Sequence, residues 1–138
     1  MSKTGAINIS VENKSNYTVF LNNLMNNHWS PNKYGEISYM INGTFDWQST
    51  SIDNFNNVYS LIKQSIENKL ETAIDLIWED NLTIIGLLFI NNNSIMITIS
   101  ENIKRIQDNT NVDFPFYLEK LAPIIQLIKP EDFECVYN

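Results

Sequence analysis

The chain has one histidine, His28, and one cysteine, Cys135. A single cysteine excludes a disulfide within the chain and fits a reducing cytoplasm. One histidine and one cysteine cannot assemble a usual zinc site. The four glycines are all isolated, so no glycine-rich loop can cradle a phosphate. Lys104-Arg105 is the one basic pair, which argues against nucleic-acid binding. The longest apolar run, residues 84–90, falls far short of the roughly 20 residues that a membrane helix needs. The opening MSKTGAINIS lacks the apolar core of a signal peptide. These absences predict a cytoplasmic protein with no cofactor, no nucleic-acid partner and no membrane partner.

What the chain does have is apolar bulk and acid. Of 138 residues, 43% are hydrophobic, enough for one core and a single domain over 1–138. Only 18% are charged, and 21 asparagines supply much of the remaining polarity. Abundant Asn and Ile beside few Ala suggest an AT-rich bacterial gene. The net charge of -7 is unevenly placed. Residues 1–70 hold five Lys and five Asp/Glu, whereas residues 71–138 hold four Lys/Arg and eleven Asp/Glu. The whole excess therefore follows residue 70. Such a field attracts a basic partner and repels phosphate backbones, although acidity also serves plain solubility.

The element pattern centres on residues 72–100. Ile74, Leu76 and Trp78 alternate with Asp75, Ile77 and Glu79, which predicts a half-buried strand with an acidic outer face. Residues 82–90 are apolar on both faces apart from Thr83 and Gly86, as in a central strand covered above and below. Ile95, Ile97 and Ile99 alternate in a third strand, and the turns are Glu79-Asp80-Asn81 and Asn91-Asn92-Asn93. Upstream, residues 6–11 read as a strand. Ser15 is placed to cap a helix carrying Tyr17, Phe20, Leu21, Leu24 and Met25. Residues 28–35 read as a loop and 36–41 as a strand. Asn42-Gly43 is the best hairpin signal, with 44–47 as the returning strand. A helix capped by Thr50 or Ser51 carries Ile52, Phe55, Val58, Tyr59, Ile62, Ile66 and Leu70. Downstream, residues 101–108 suggest a short helix. Asp113 caps a further helix with Pro115 in its first turn, Pro123 is expected to kink or split it, and Pro130 ends it. Residues 133–137 read as a terminal edge strand. The fold class is α+β: one antiparallel sheet of five to seven strands with a central meander, flanked by helices mainly on one face. A helix or partner subunit is expected over the other.

No catalytic constellation is legible. His28 has no recognisable triad partner, and Cys135 sits in an apolar alternation typical of an inert thiol. Asp75, Glu79 and Asp80 could hold Mg²⁺ or Ca²⁺, yet no loop has EF-hand spacing, and a solvated strand face is the simpler reading. No catalytic and no metal residues are assigned. The remaining signal is a surface. Asp75, Glu79 and Asp80 cluster at one end of the meander, and Glu131, Asp132 and Glu134 cluster near the C-terminus. Trp29, Tyr34, Tyr39, Trp47 and Trp78 are amphipathic aromatics that anchor interfaces, though such residues more often lie in cores. Asp75, Glu79, Asp80, Glu131, Asp132, Glu134, Trp29 and Trp47 are therefore the candidate partner-binding residues. Side chains at 75, 79 and 80 are expected to point outward, so that reversing their charge leaves the fold intact.

The order ISYMI, then the stripe from Ile52 to Leu70, then TAIDLIWED and NLTIIGLLFINNNSIMITIS resembles small bacterial immunity proteins of contact-dependent growth-inhibition systems, over residues 37–100. The resemblance implies a cytoplasmic inhibitor that binds one cognate toxin domain, commonly a nuclease, and blocks its active site or substrate groove. It assigns no family residue to a position here. Two other classes fit the composition: a small acidic adaptor domain that could form a homodimer, and a carboxylate- and metal-dependent enzyme.

Overall fold

The computed structural model describes residues 4–12, 16–90, 93–106 and 111–137. In chain order the elements are β1 (Gly5–Ser10), α1 (Asn16–Met25), β2 (Trp29–Ser30), β3 (Glu36–Met40), β4 (Gln48–Ser51), a 3-10 turn (Ile52–Asn54), α2 (Phe55–Glu67), β5 (Thr72–Trp78), β6 (Ile84–Ile90), β7 (Ser94–Ile99), α3 (Phe114–Leu127) and β8 (Asp132–Tyr137). Eight strands form one antiparallel sheet in the order β4-β3-β5-β6-β7-β1-β8, with β2 also paired to β5. The expected meander β5-β6-β7 is its centre, and β6 is the middle strand. The N-terminal β1 lies between β7 and the C-terminal β8, so both ends of the chain extend the same side of the sheet.

Strand alternation sorts the side chains onto two faces. One row across the sheet reads Tyr39, Ile74, Leu87, Ile97, Ile7 and Cys135, residue against residue. This face, with Ile9, Ile37, Leu76, Ile85, Phe89, Ile95 and Ile99, packs into a single core with the helices. From α1 come Phe20, Leu21 and Leu24, from α2 Val58 and Ile62, and from α3 Tyr117, Leu121 and Ile125. Each such side chain contributes about 1.5–3 kcal/mol of burial. Polar pins complete the layer. Buried Ser65 of α2 shares a 2.7 Å hydrogen bond with Thr72 of β5, and the Asn42 amide donates to its Oγ at 2.8 Å. Tyr17 stacks on Phe89 and donates its hydroxyl to the Ile90 carbonyl.

Several expectations need correction. Among the described residues no helix lies on the second face; all three helices join the one core. Asn42 and Gly43 do form the tight turn, with φ of 59° and 65° and Thr44 N–H donating to Ile41 C=O. The returning strand is not 44–47 but Gln48–Ser51. The Gly43 amide is taken by the Glu71 carbonyl, which draws the chain away from β3 before it returns. Ser51 caps the 3-10 turn rather than α2, and Leu70 lies beyond α2 and is exposed. Residues 101–106 are not helical: Arg105 bridges Val112 and the Lys104 amide donates to the Tyr117 hydroxyl. Of the kink or split expected at Pro123, the split does not occur: α3 runs unbroken from Phe114 to Leu127 under Asp113 as cap. Leu121, Ile124 and Ile125 bury on both sides of it and hold the helix through the lost hydrogen bond. The proposed cap Ser15 and the turn residues Asn91 and Asn92 fall outside the described residues.

Candidate functional site

The face without helices carries the charge of the sheet. Its strands hold four carboxylates, Glu36, Asp75, Asp132 and Glu134, and no Lys or Arg. The register places all four on this open face, because the alternate positions are Ile37, Ile74, Leu76, Phe133 and Cys135 of the core side. One open-face row reads Met40, Ala73, Leu88, Met96, Asn8 and Glu134; the next reads Asp75, Gly86, Thr98, Ala6 and Val136. The first row is mostly apolar across its middle, Asp75 lies beside the middle strand, and Glu36, Asp132 and Glu134 lie nearer the sheet edges.

On this face lies a cavity of about 610 Å³. Met40, Ala73 and Leu88 line it, the loop between β3 and β4 contributes Phe45 and Trp47, and Lys33, Asp75 and Glu101 add charge. Phe45 and Trp47 are 64% and 53% exposed. Phe45 also has φ of 59°. That left-handed backbone costs a bulky residue about 1–2 kcal/mol, and little burial offsets it. The loop is pinned nonetheless: Thr44 Oγ1 donates to the Ile41 carbonyl and accepts from the Asp46 amide.

The charged group is a three-residue ion-pair cluster. Lys33 Nζ lies 2.7 Å from Asp75 Oδ2 and 3.5 Å from Glu101 Oε1. Lys33 is held by reciprocal backbone bonds with Glu36, while Asn32 Oδ1 accepts from the Gly35 amide in the same loop. Asp75 is only 9% exposed, so it is not the free outward carboxylate expected from alternation. Burial raises the Asp75 pKa; Lys33 lowers it in part, and Glu101 adds to the rise. For Lys33, burial pulls the pKa down, but the hydrogen bond and charge of Asp75, with Glu101 behind it, more than offset this and raise it. The two shifts read the pair differently, burial winning at Asp75 and the contact winning at Lys33; the 2.7 Å geometry is the firmer statement that the two charges are held together. Gly86 makes the room. A Cβ there would clash with Thr98 Oγ1 and lie 3.4 Å from Asp75 Oδ1.

The other candidates separate. Trp29 is a core residue, 1% exposed and edge-on to Trp78 at 5.1 Å, and so is withdrawn from the interface. Asp80 is a turn residue: Oδ1 accepts from the Leu82 and Thr83 amides and Oδ2 from the Thr83 hydroxyl. Burial tends to raise its pKa, but these bonds from Thr83 and Leu82 lower it on balance. Glu79 pairs with His28 Nδ1 at 2.8 Å, both well exposed. Glu131, Asp132 and Glu134 are exposed on and before the edge strand β8. Four strand spacings, about 19 Å at ~4.8 Å each, separate β8 from Asp75, so the two predicted clusters flank the face rather than form one patch. Trp47 stays exposed and lines the open-face cavity. Sequence reasoning missed Lys33, Phe45, Glu36 and Glu101. Phe45 two residues before Trp47 in a turn was a readable signal, as was a lone glycine in bulky β6.

The ionisable groups elsewhere bring few reactive partners together. The cavity beside His28 is lined by Asn27, Trp78, Glu119, Lys120, Pro123 and Ile124, without Ser, Thr or Cys. Cys135 lies on the covered side of β8, half-buried, and burial pushes its thiol up. Among the described residues no group of three His, Cys, Asp or Glu could hold a metal ion, and no helix is long and apolar enough to cross a membrane.

These features define an α+β protein with an open, acid-flanked antiparallel sheet. Comparison with known proteins found no matching family model, no similar curated protein and no similar solved structure.

Proposed function

We propose that the chain is an inhibitory binding protein of the immunity type, which captures a basic toxin domain on its open sheet face in the bacterial cytoplasm. The observation that carries this reading is the sorting of charge. All four strand carboxylates, and no strand cation, share the one sheet face without helices, where Phe45 and Trp47 also stand exposed. A nuclease needs a basic groove for phosphates, and an acidic face can occupy that groove in their place. Exposed rim carboxylates such as Asp132 and Glu134 would mainly speed association, while Trp47 would anchor the complex. The same charge opposes pairing of two copies through this face, which weighs against the homodimer alternative.

Tagged protein recovered from the cells that encode it should bring down one basic polypeptide in stoichiometric amount. That polypeptide expressed alone should arrest bacterial growth, and co-expression of this chain should restore it. Arrest that co-expression leaves unchanged, or recovery of no basic partner, overturns the reading.

A further inference from the structure

Resting on that reading, we infer that the open-face cavity is the socket for one arginine side chain of the basic partner, with its guanidinium at Asp75 and Glu101 and its stem between Phe45 and Trp47. Three independent features meet there. First, the charge is unbalanced: two carboxylates, Asp75 and Glu101, share the single ammonium of Lys33. Of the two Asp75 oxygens, Oδ2 takes the lysine contact, while Oδ1 lies beside Gly86, and Asp75, Gly86 and Glu101 all line the cavity. That leaves acceptor capacity on a carboxylate that is 9% exposed, where water competes poorly.

Second, the approach is aromatic and aliphatic. An arginine stem is apolar and its planar head stacks on ring faces, so Phe45, Trp47, Met40 and Leu88 suit it where a hydrated ammonium would gain less. Third, Phe45 is held there at a cost. Phe45 keeps a left-handed backbone while 64% exposed, an arrangement that core packing does not explain. About 610 Å³ also leaves room for the backbone that carries the side chain.

The test is titration of the ¹⁵N-labelled full chain with acetyl-arginine methylamide, beside the neutral near-isostere acetyl-citrulline methylamide. The arginine probe should move the Trp47 indole and Gly86 amide signals saturably in the millimolar range, and citrulline should bind at least about tenfold more weakly. Trp47→Ala and Glu101→Gln, both at exposed positions, should each weaken the arginine probe several-fold with the rest of the spectrum intact. Asp75→Asn should do so more strongly, and the two exposed variants still decide the matter if it misfolds. Equal shifts from both probes, or arginine shifts confined to other residues, or undiminished binding in both exposed variants, overturn the socket. Arginine binding without rescue from a toxin would sink the inhibitor reading alone. Rescue that persists while the wild type ignores arginine would sink the socket alone.

Discussion

Lys33 Nζ lies 2.7 Å from Asp75 Oδ2, joining a loop before β3 to a central strand across 42 residues of sequence. Both side chains are mostly buried, so each protects the other from an unpaired charge. Lys33→Met removes the cation and should cost about 3 kcal/mol of stability, measured by urea denaturation at neutral pH. The raised Lys33 pKa gives a second signature. The stabilisation that its ammonium gains is fully present below 10.5 and is lost as pH rises through the raised folded value. A Lys33→Met variant as stable as the wild type would show that the pair is only incidental.

Asp75 titrates in the opposite sense to an ordinary salt-bridged carboxylate. Its folded pKa is raised above 3.8, chiefly by burial, so the folded state holds the proton more tightly than the unfolded chain. Its contribution is most favourable below 3.8 and declines as pH rises through the raised folded value. Stability of the wild type relative to Asp75→Asn should therefore fall across that window and then level off. A difference that grows with pH would mean that the Lys33 contact outweighs burial at the carboxylate.

Gly86 and Thr98 face each other across β6 and β7 with no space for a methyl group. Gly86→Ala should cost about 1–3 kcal/mol through overpacking. Thr98→Ala in the same chain removes the clashing Oγ1 and should recover much of that loss. A double-mutant cycle checks it, with coupling of about 1 kcal/mol or more expected. Purely additive effects would place the strain elsewhere.

The tryptophans divide by role. Trp29→Ala should cost about 3–5 kcal/mol, because the ring is buried against Trp78. Trp47→Ala should change stability by less than about 0.5 kcal/mol yet weaken partner binding by about 2 kcal/mol or more. Thermal denaturation and calorimetric binding to the recovered partner separate the two. A Trp47→Ala variant with unchanged affinity would move the interface off this loop.

Asp80→Lys should destabilise the β5–β6 hairpin by about 1 kcal/mol, since three donors lose their acceptor. The lowered Asp80 pKa sets the pH sense: its stabilisation is present above 3.8 and lost as pH falls through the lower folded value. Hydrogen exchange at Leu82 and Thr83 would report the loss locally. Unchanged protection there would return Asp80 to the list of freely exposed acids.

The meander, the α2 stripe and the Asp113 cap were legible because each depends on spacing within one short segment. Period-two and period-3.6 patterns, and a cap three residues before its amide, are local constraints. The acidity was legible too, since composition needs no fold. What alternation could not tell was whether an outward carboxylate stays in water. Asp75 follows the predicted face but is covered by Lys33, a partner that no local pattern announces. Trp29 and Trp47 likewise look alike in sequence. One packs against Trp78 through the β2–β5 pairing, and the other rides a loop whose course follows the Gly43–Glu71 hydrogen bond. The sequence by itself thus determined the central meander, the main helices, their apolar faces and the sign of the charge, but not β2, the bounds of β4 or the course of residues 101–106. Only the tertiary structure decided which face stays open and which acids stay exposed, because both depend on contacts between segments far apart along the chain.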